Sequence, residues 1–157
     1  MAFRPRSKVS VLASSATAVA GAGDTAENTL ATITIPAGAM GPNGIIRLTL
    51  RVTYTNNGNN KTFRARWSGG AGTVVWGPTR TTQIGSTTTI WITNRAATNS
   101  QAYSSVSNND ASTADGNAGG TTSVDTTAQT TIVITAQKAS AGDTAQLEYY
   151  LCELILP

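Results

Sequence analysis

Residues 47–67 read RLTLRVTYTNNGNNKTFRARW, and this stretch decides the fold. Apolar residues occupy every second position from Leu48 to Tyr54, with arginine or threonine between them. The same alternation returns from Phe63 to Trp67, after a loop of threonine, asparagine and glycine. A period of two predicts β-strands with one buried and one exposed face. The stretch therefore indicates two strands of an all-β protein.

The loop between these strands predicts a hairpin. Gly58-Asn59 suits the central positions of a type II′ turn. A tight turn there puts both apolar sets on one face of a two-stranded ribbon, with Tyr54 opposite Phe63. We expect that face to pack on the core.

The other face of the predicted hairpin carries arginines, and the register places Arg51 opposite Arg66, with Arg47 and Arg64 as diagonal neighbours. Like charges opposite each other destabilise a sheet by roughly 0.2–1 kcal/mol per pair, so this face needs acid or water beside it. Three interpretations stay open. The face is solvated or balanced within the chain, for instance by Glu148, or it meets a complementary surface on another subunit. An anionic ligand is a third interpretation.

The remainder of the chain has the composition of strands and turns. Threonine occurs 27 times, and no amphipathic helical window is present. We expect further strands near 29–35, 73–77, 87–93, 101–106, 130–137 and 145–155, and a long exposed loop at 107–122. Antiparallel strands with turns about every ten residues predict a single β-sandwich domain over residues 23–157, with a jelly roll favoured.

The first 22 residues differ from this domain. They begin with three basic side chains, Arg4, Arg6 and Lys8. Residues 18–20, Ala-Val-Ala, resemble the cleavage site of a secretory signal, but hydroxyl residues interrupt the apolar stretch before them. We therefore expect residues 1–22 to form an extended arm that docks on a partner or on a neighbouring copy.

Charge is sorted along the sequence. Ten of the eleven Lys and Arg residues lie between Arg4 and Arg95, while Asn28 to Asn109 contains no acid. A self-contained domain usually mixes the two signs, because like charges repel. The sorting therefore favours assembly, either with copies of the chain or with another protein. The net charge of +3 is too small to require a nucleic-acid partner.

Catalytic groups are scarce. The chain has no histidine, which excludes histidine-based triads and histidine metal ligands, and its single cysteine cannot form an intrachain disulfide. Asp110 and Asp115 fit no standard calcium loop. Glu148 and Glu153 are predicted on opposite strand faces, so they do not form a glycosidase pair. No run of 18 apolar residues is present to span a membrane. We expect no enzymatic activity, cofactor or metal.

Several stretches carry a resemblance to a known group of proteins. They are ATITIPAG (31–38), NG (43–44), the hairpin through NKT (60–62), NRAATNSQ (94–101), TIVITAQ (131–137) and AGDT (141–144) with Glu148. In these patterns residues 23–157 resemble small virion proteins of tailed phages. The resemblance implies a jelly-roll structural protein that decorates or cements an icosahedral head. Similar sequences also belong to tail and fibre regions.

The resulting hypothesis is a bacteriophage capsid decoration protein, made late in infection in the host cytoplasm. It would bind the outer head surface and stabilise the shell by bridging neighbouring subunits. The expected partners are the major capsid protein and further copies of the chain, as a dimer or trimer, without nucleic acid or membrane. The candidate partner-binding residues are Arg4, Arg6, Lys8, Arg47, Arg51, Arg64 and Arg66. The alternative is a tail-fibre or receptor-binding module for surface carbohydrate, in which Trp76 or Trp91 lies at the surface.

Overall fold

A computed structural model describes residues 8–109 and 119–157 of the chain, and side chains in that range except at 107–109. These residues form twelve strands and no helix. The strands are β1 (Lys8–Ser15), β2 (Val19–Ala20), β3 (Asn28–Ile35), β4 (Ile45–Tyr54), β5 (Lys61–Trp67), β6 (Thr73–Trp76), β7 (Thr79–Arg80), β8 (Gly85–Asn94), β9 (Gln101–Asn109), β10 (Gly119–Thr122), β11 (Thr130–Lys138) and β12 (Ala145–Leu156).

The strands form two antiparallel sheets that pack face to face. The large sheet has seven strands in the order β1-β12-β4-β8-β9-β10, with β2 also paired to β12. The small sheet has five strands in the order β3-β11-β5-β6, with β7 also paired to β5. This arrangement confirms the predicted antiparallel β-sandwich, while the jelly roll within that class stays a prediction. The part of the chain that the structure describes contains no helix that could cross a membrane.

The core lies between the sheets and is filled by the alternating residues of the opening stretch. The large sheet contributes the fully buried Leu48, Leu50 and Val52 of β4. The small sheet contributes the fully buried Phe63 and Trp67 of β5. Cys152 of β12 is also fully buried, as a small apolar side chain. The period-two pattern therefore identified the core face of both strands correctly.

The predicted hairpin is wrong, because β4 and β5 belong to different sheets. β4 pairs with β12 and β8, whereas β5 pairs with β11, β6 and β7. Residues 55–60 cross from one sheet to the other. Tyr54 and Phe63 do meet, with ring centroids 5.7 Å apart, but across the sandwich. The apolar sets of two strands face one core equally well when the strands are neighbours in a sheet or lie opposite each other.

Part of the predicted arm lies inside the sandwich. β1 pairs along its length with β12 of the same chain, and β2 pairs with the beginning of β12. Leu12 and Ala13 pack against the core. These residues form the edge of the large sheet, so the sandwich already includes Lys8–Ser15, which the sequence assigned to the arm. Arg4 and Arg6 lie outside the described residues.

Two local features differ from expectation. The predicted loop at 107–122 is shorter, because β9 continues to Asn109 and β10 begins at Gly119. Asp110 and Asp115 lie outside the described residues. In β12 a bulge at Glu148 shifts the register between Leu147 and Tyr149. The inserted residue breaks the alternation, so Glu148 reaches the outer face that Glu153 also occupies, and the prediction of opposite faces is wrong.

Candidate docking surface

The outer face of the large sheet retains exposed apolar side chains. We call the outward side chains of Trp91, Val106, Tyr149 and Leu151, with the Arg47–Glu153 pair, the large-sheet face. Val106 is 63% exposed and Tyr149 is 37% exposed. Four of the six exposed large hydrophobic side chains in the described residues lie on this outer side, since Val9 and Val11 of β1 continue it. Exposed apolar side chains gathered on one side typically mark an interaction surface.

Trp91 lies at the centre of this surface. Its neighbours Ile90 and Ile92 are fully buried, so strand alternation turns the indole outward. The sequence left this orientation open. The guanidinium of Arg47 lies 5.5 Å from the centre of the Trp91 ring, a cation–π contact.

Arg47 also forms an ion pair across the sheet. Its Nε donates to Oε2 of Glu153 at 2.7 Å. The hydrogen bond from Arg47 lowers the pKa of Glu153, and the same bond raises the pKa of Arg47. The residues Glu153, Arg47 and Trp91 are direct partners on three adjacent strands. The pair and the indole therefore hold one another in place at the middle of the sheet.

Arg51 differs from Arg47, although it lies on the same face. Its guanidinium donates to the hydroxyl of Thr87 at 3.3 Å, and no ion pair of Arg51 occurs among the described residues. Glu148, which the sequence suggested as a balancing acid, accepts hydrogen bonds from Thr53 and Gln146. Arg51 is thus a cation on this face without a carboxylate partner in the described part of the chain.

Arg64 and Arg66 lie on the opposite side of the molecule, on the outer face of the small sheet. Both pair with Glu27, at 3.0 Å from Arg64 and 3.2 Å from Arg66. The hydroxyl of Thr135 donates to the same carboxylate at 2.6 Å. Burial alone would raise the pKa of Glu27, but the hydrogen bonds from Arg66 and Thr135 and the charges of both arginines lower it.

The four arginines that the sequence grouped on one face of a hairpin therefore do not form one surface. Arg47 and Arg51 lie on one outer face and Arg64 and Arg66 on the other, so the predicted opposition of Arg51 and Arg66 is wrong. Three of the four pair within the chain, which supports internal balance over a shared arginine interface. Lys8 begins β1 and is exposed. That these residues bind a partner stays a prediction.

A second polar cluster closes one end of the sandwich. Lys61 is fully buried, and its Nζ donates to Oδ1 of Asn57 at 2.8 Å and to the carbonyl of Thr81 at 3.1 Å. Burial lowers the pKa of Lys61, while the charge of Asp143 opposes that shift. Asp143 accepts from Asn57 at 2.6 Å and from Asn59 at 3.0 Å. These bonds satisfy the buried charges and tie three loops together, which indicates a structural role.

A metal site is not apparent in the described ranges, where no three His, Cys, Asp or Glu side chains come together in a way that could hold an ion. The pocket near Asn60, Thr62 and Gln137 on the small sheet is a polar surface hollow. Neither feature offers an arrangement for chemistry. The large-sheet face is the more extensive candidate for function.

The chain matches no model of a known protein family, and no curated protein sequence matches it. Among solved structures, it is similar to the CBM2 module of the evolved Dit of Lactobacillus casei BL23 phage J-1, with a TM-score of 0.41 and 14% identity over 80% of this chain and 69% of that one. It is also similar to chains of the infectious bursal disease virus VP2 subviral particle (TM-score 0.36, 12% identity) and of infectious bursal disease virus Gx strain (TM-score 0.30, 13% identity). The likeness covers 98% of this chain but only 32% and 41% of those two. Likenesses this distant assign neither a family nor a function.

Proposed function

We propose that the chain is a structural protein of a virion, a decoration protein that binds the outer surface of a phage head through its large-sheet face. The observation that carries the proposal is the exposure of Val106 and Tyr149 on the same outer face of the large sheet as Trp91. The resemblance of residues 23–157 to small tailed-phage virion proteins supplies the class of partner, a major capsid protein.

The composition of the face suits protein recognition. Interfaces are enriched in aromatic residues and arginine at their centres, and Trp and Arg side chains often dominate binding energy. Here Trp91 and Arg47 are already in contact, and Glu153 fixes the guanidinium. Because these side chains are ordered before binding, little conformational entropy is lost on docking.

Charge contributes less to the proposed docking than the sequence suggested. Arg47 pairs with Glu153, and Arg64 and Arg66 share the one carboxylate of Glu27, so most of this positive charge is balanced within the chain and docking relies mainly on apolar and aromatic contact. Arg51 is the cation on this face that remains to meet an acidic group of the shell. Many identical copies on one shell would add avidity to a modest single interface.

Binding of purified protein to heads that lack it tests the proposal. Val106→Lys places a charge on the large-sheet face. We expect it to weaken the free energy of binding to heads by about 2 kcal/mol, which is roughly a 30-fold increase in Kd. Thr79→Lys is the matched control, because Thr79 is exposed on the outer side of the small sheet, on β7. Unchanged occupancy with Val106→Lys, or equal losses with both variants, would contradict docking through the large-sheet face.

The position of Trp91 also supports a second candidate, a tail-fibre or receptor-binding module for carbohydrate. An indole on an outer face, with Thr89 two residues away on β8 and Thr49 on the neighbouring β4, is an arrangement on which a sugar ring stacks. Glycan-array binding that Trp91→Ala abolishes, together with recovery of the protein only in purified tails, would favour this candidate. Recovery in purified heads without glycan binding would favour decoration.

A further inference from the structure

The two sheets end differently on the two sides of the sandwich. On one side the edges are short: β10 and β6 have four residues each and β7 has two. On the other side the edges are β1 and β3, with eight residues each, and these two strands are in contact across the sandwich. No described strand pairs with the outer edge of β1 or of β3. Both long open edges therefore share one side of the molecule.

These long edges carry only part of the protection that an open edge usually has. Soluble proteins shorten an edge strand or place charge or proline on it to prevent pairing with another chain. Val9 to Ser15 of β1 contains no charged residue and no proline, and neither does Asn28 to Ile35 of β3. The protection present is one bulge in each strand, at Leu12 and at Leu30, and the charge of Lys8 at the first position of β1.

The side chains of β1 add apolar surface to its open backbone. Val11 is 60% exposed and Val9 is 53% exposed on the outer side, whereas Leu12 and Ala13 anchor the strand to the core. β1 therefore combines a fixed backbone edge with an uncovered apolar row. An uncharged segment can pair with its own copy in antiparallel orientation without placing like charges opposite each other, whatever the register.

We propose that the side formed by β1 and β3 is an interface between two copies of this chain, related by a two-fold axis, in which β1 pairs antiparallel with β1 of the second copy. Such isologous contacts are the commonest basis of homodimers. β1 spans about 26 Å, so its pairing joins the two large sheets into one continuous sheet. β3 lies beside β1, so it brings the edges of the two small sheets together and adds buried area to the contact. A stable dimer buries about 800 Å² per partner, and a contact over both layers suits that area better than one strand alone.

The oligomeric state of the full chain tests this interface, measured by sedimentation equilibrium over a range of protein concentrations. We expect a dimer for the unmodified chain. Val11→Lys sets two ammonium groups beside each other near the axis, so it should weaken the dimer at least about tenfold in Kd. Val106→Lys is the matched control, since its exposure is similar but it lies on β9, away from this side. It should leave the dimer intact.

A mixing experiment sharpens the result. Val11→Lys and Val11→Asp should each be monomeric alone and should form a heterodimer when mixed, because opposite charges then meet across the axis. We expect both variants to fold, because Val11 is exposed, and circular dichroism checks this. A monomeric unmodified chain, or a dimer that Val11→Lys leaves unchanged, would overturn the interface. The outcome is independent of shell binding, because sedimentation measures the self-association of the purified chain in the absence of shells.

Discussion

Arg47 of β4 and Glu153 of β12 are joined by a 2.7 Å ion pair, although 106 residues separate them in the chain. Basic residues gather early in the sequence and acidic residues late. The fold brings β12 beside β4, so part of this imbalance disappears within one sheet. The sorting of charge along the chain thus reflects strand pairing as much as assembly.

Replacement of Glu153 by Gln tests the pair. The pair is partly exposed, so its loss should lower the free energy of unfolding by only about 0.2–1 kcal/mol. The folded-state pKa of Glu153 is lowered, so its stabilisation is present above the ordinary value of 4.5 and is lost as pH falls through the folded pKa. Urea titrations at neutral and acidic pH measure the difference. A difference that grew on acidification would contradict this assignment.

Glu27 should contribute more to the free energy of unfolding than Glu153 does, because two arginines and a hydroxyl share its carboxylate. We expect Glu27→Gln to lower the free energy of unfolding by about 1–2 kcal/mol at neutral pH. This value is reduced for the screening by solvent at a partly exposed site. Its pKa is lowered, so this contribution also disappears below the ordinary glutamate range. Glu148→Gln is the control, since Glu148 binds Thr53 and Gln146. Equal losses in the two variants would show that the shared arginines add nothing.

The buried Lys61 gives a dependence at alkaline pH. Lys61→Met removes the charged donor to Asn57 Oδ1 and to the carbonyl of Thr81, and each of these acceptors keeps only a backbone N–H donor. The loss should lower the free energy of unfolding by about 1–3 kcal/mol. Burial lowers the pKa of Lys61, so between the folded-state pKa and the ordinary value of 10.5 the unfolded chain binds more protons. In that window the unmodified chain should gain stability relative to Lys61→Met as pH rises. Denaturant titrations of both chains measure this, and a relative loss would refute it.

Cys152 should be inert in the folded chain. Burial raises the pKa of its thiol to about 12, with a smaller contribution from the charge of Glu153. At pH 8 the thiolate fraction is then on the order of 10⁻⁴, and only thiolate reacts. Ellman's reagent should label Cys152 in denaturant but not in the native protein. Equal rates in the two states would place the thiol at the surface.

The sequence predicted strands better than it predicted their partners. Alternation identified the buried faces of β4 and β5, because side-chain direction is a local property of a strand. It could not distinguish neighbouring strands from facing ones, since both arrangements give the same alternation. The neighbours of β4 are β8 and β12, and the contacts that select them are distant in sequence.

The candidate surface was predicted only in part. Arg47 and Arg51 do lie on it, but the sequence grouped them with Arg64 and Arg66 from the opposite face. The burial of Ile90 and Ile92, which decides the direction of Trp91, follows from the register of β8 against β4. The alternation of Val9 and Val11 around Ser10 was a signal of an edge strand within the segment predicted to be an arm.

Electron cryomicroscopy of phage particles produced with this chain tests the proposed decoration role most directly, because it shows whether the chain is on the head and which side of the sandwich meets the shell. The account predicts that Trp91 and Val106 are covered by capsid protein, while Glu27 with Arg64 and Arg66 faces solvent. A chain whose large-sheet face points into solvent, or one found only on the tail, would contradict it.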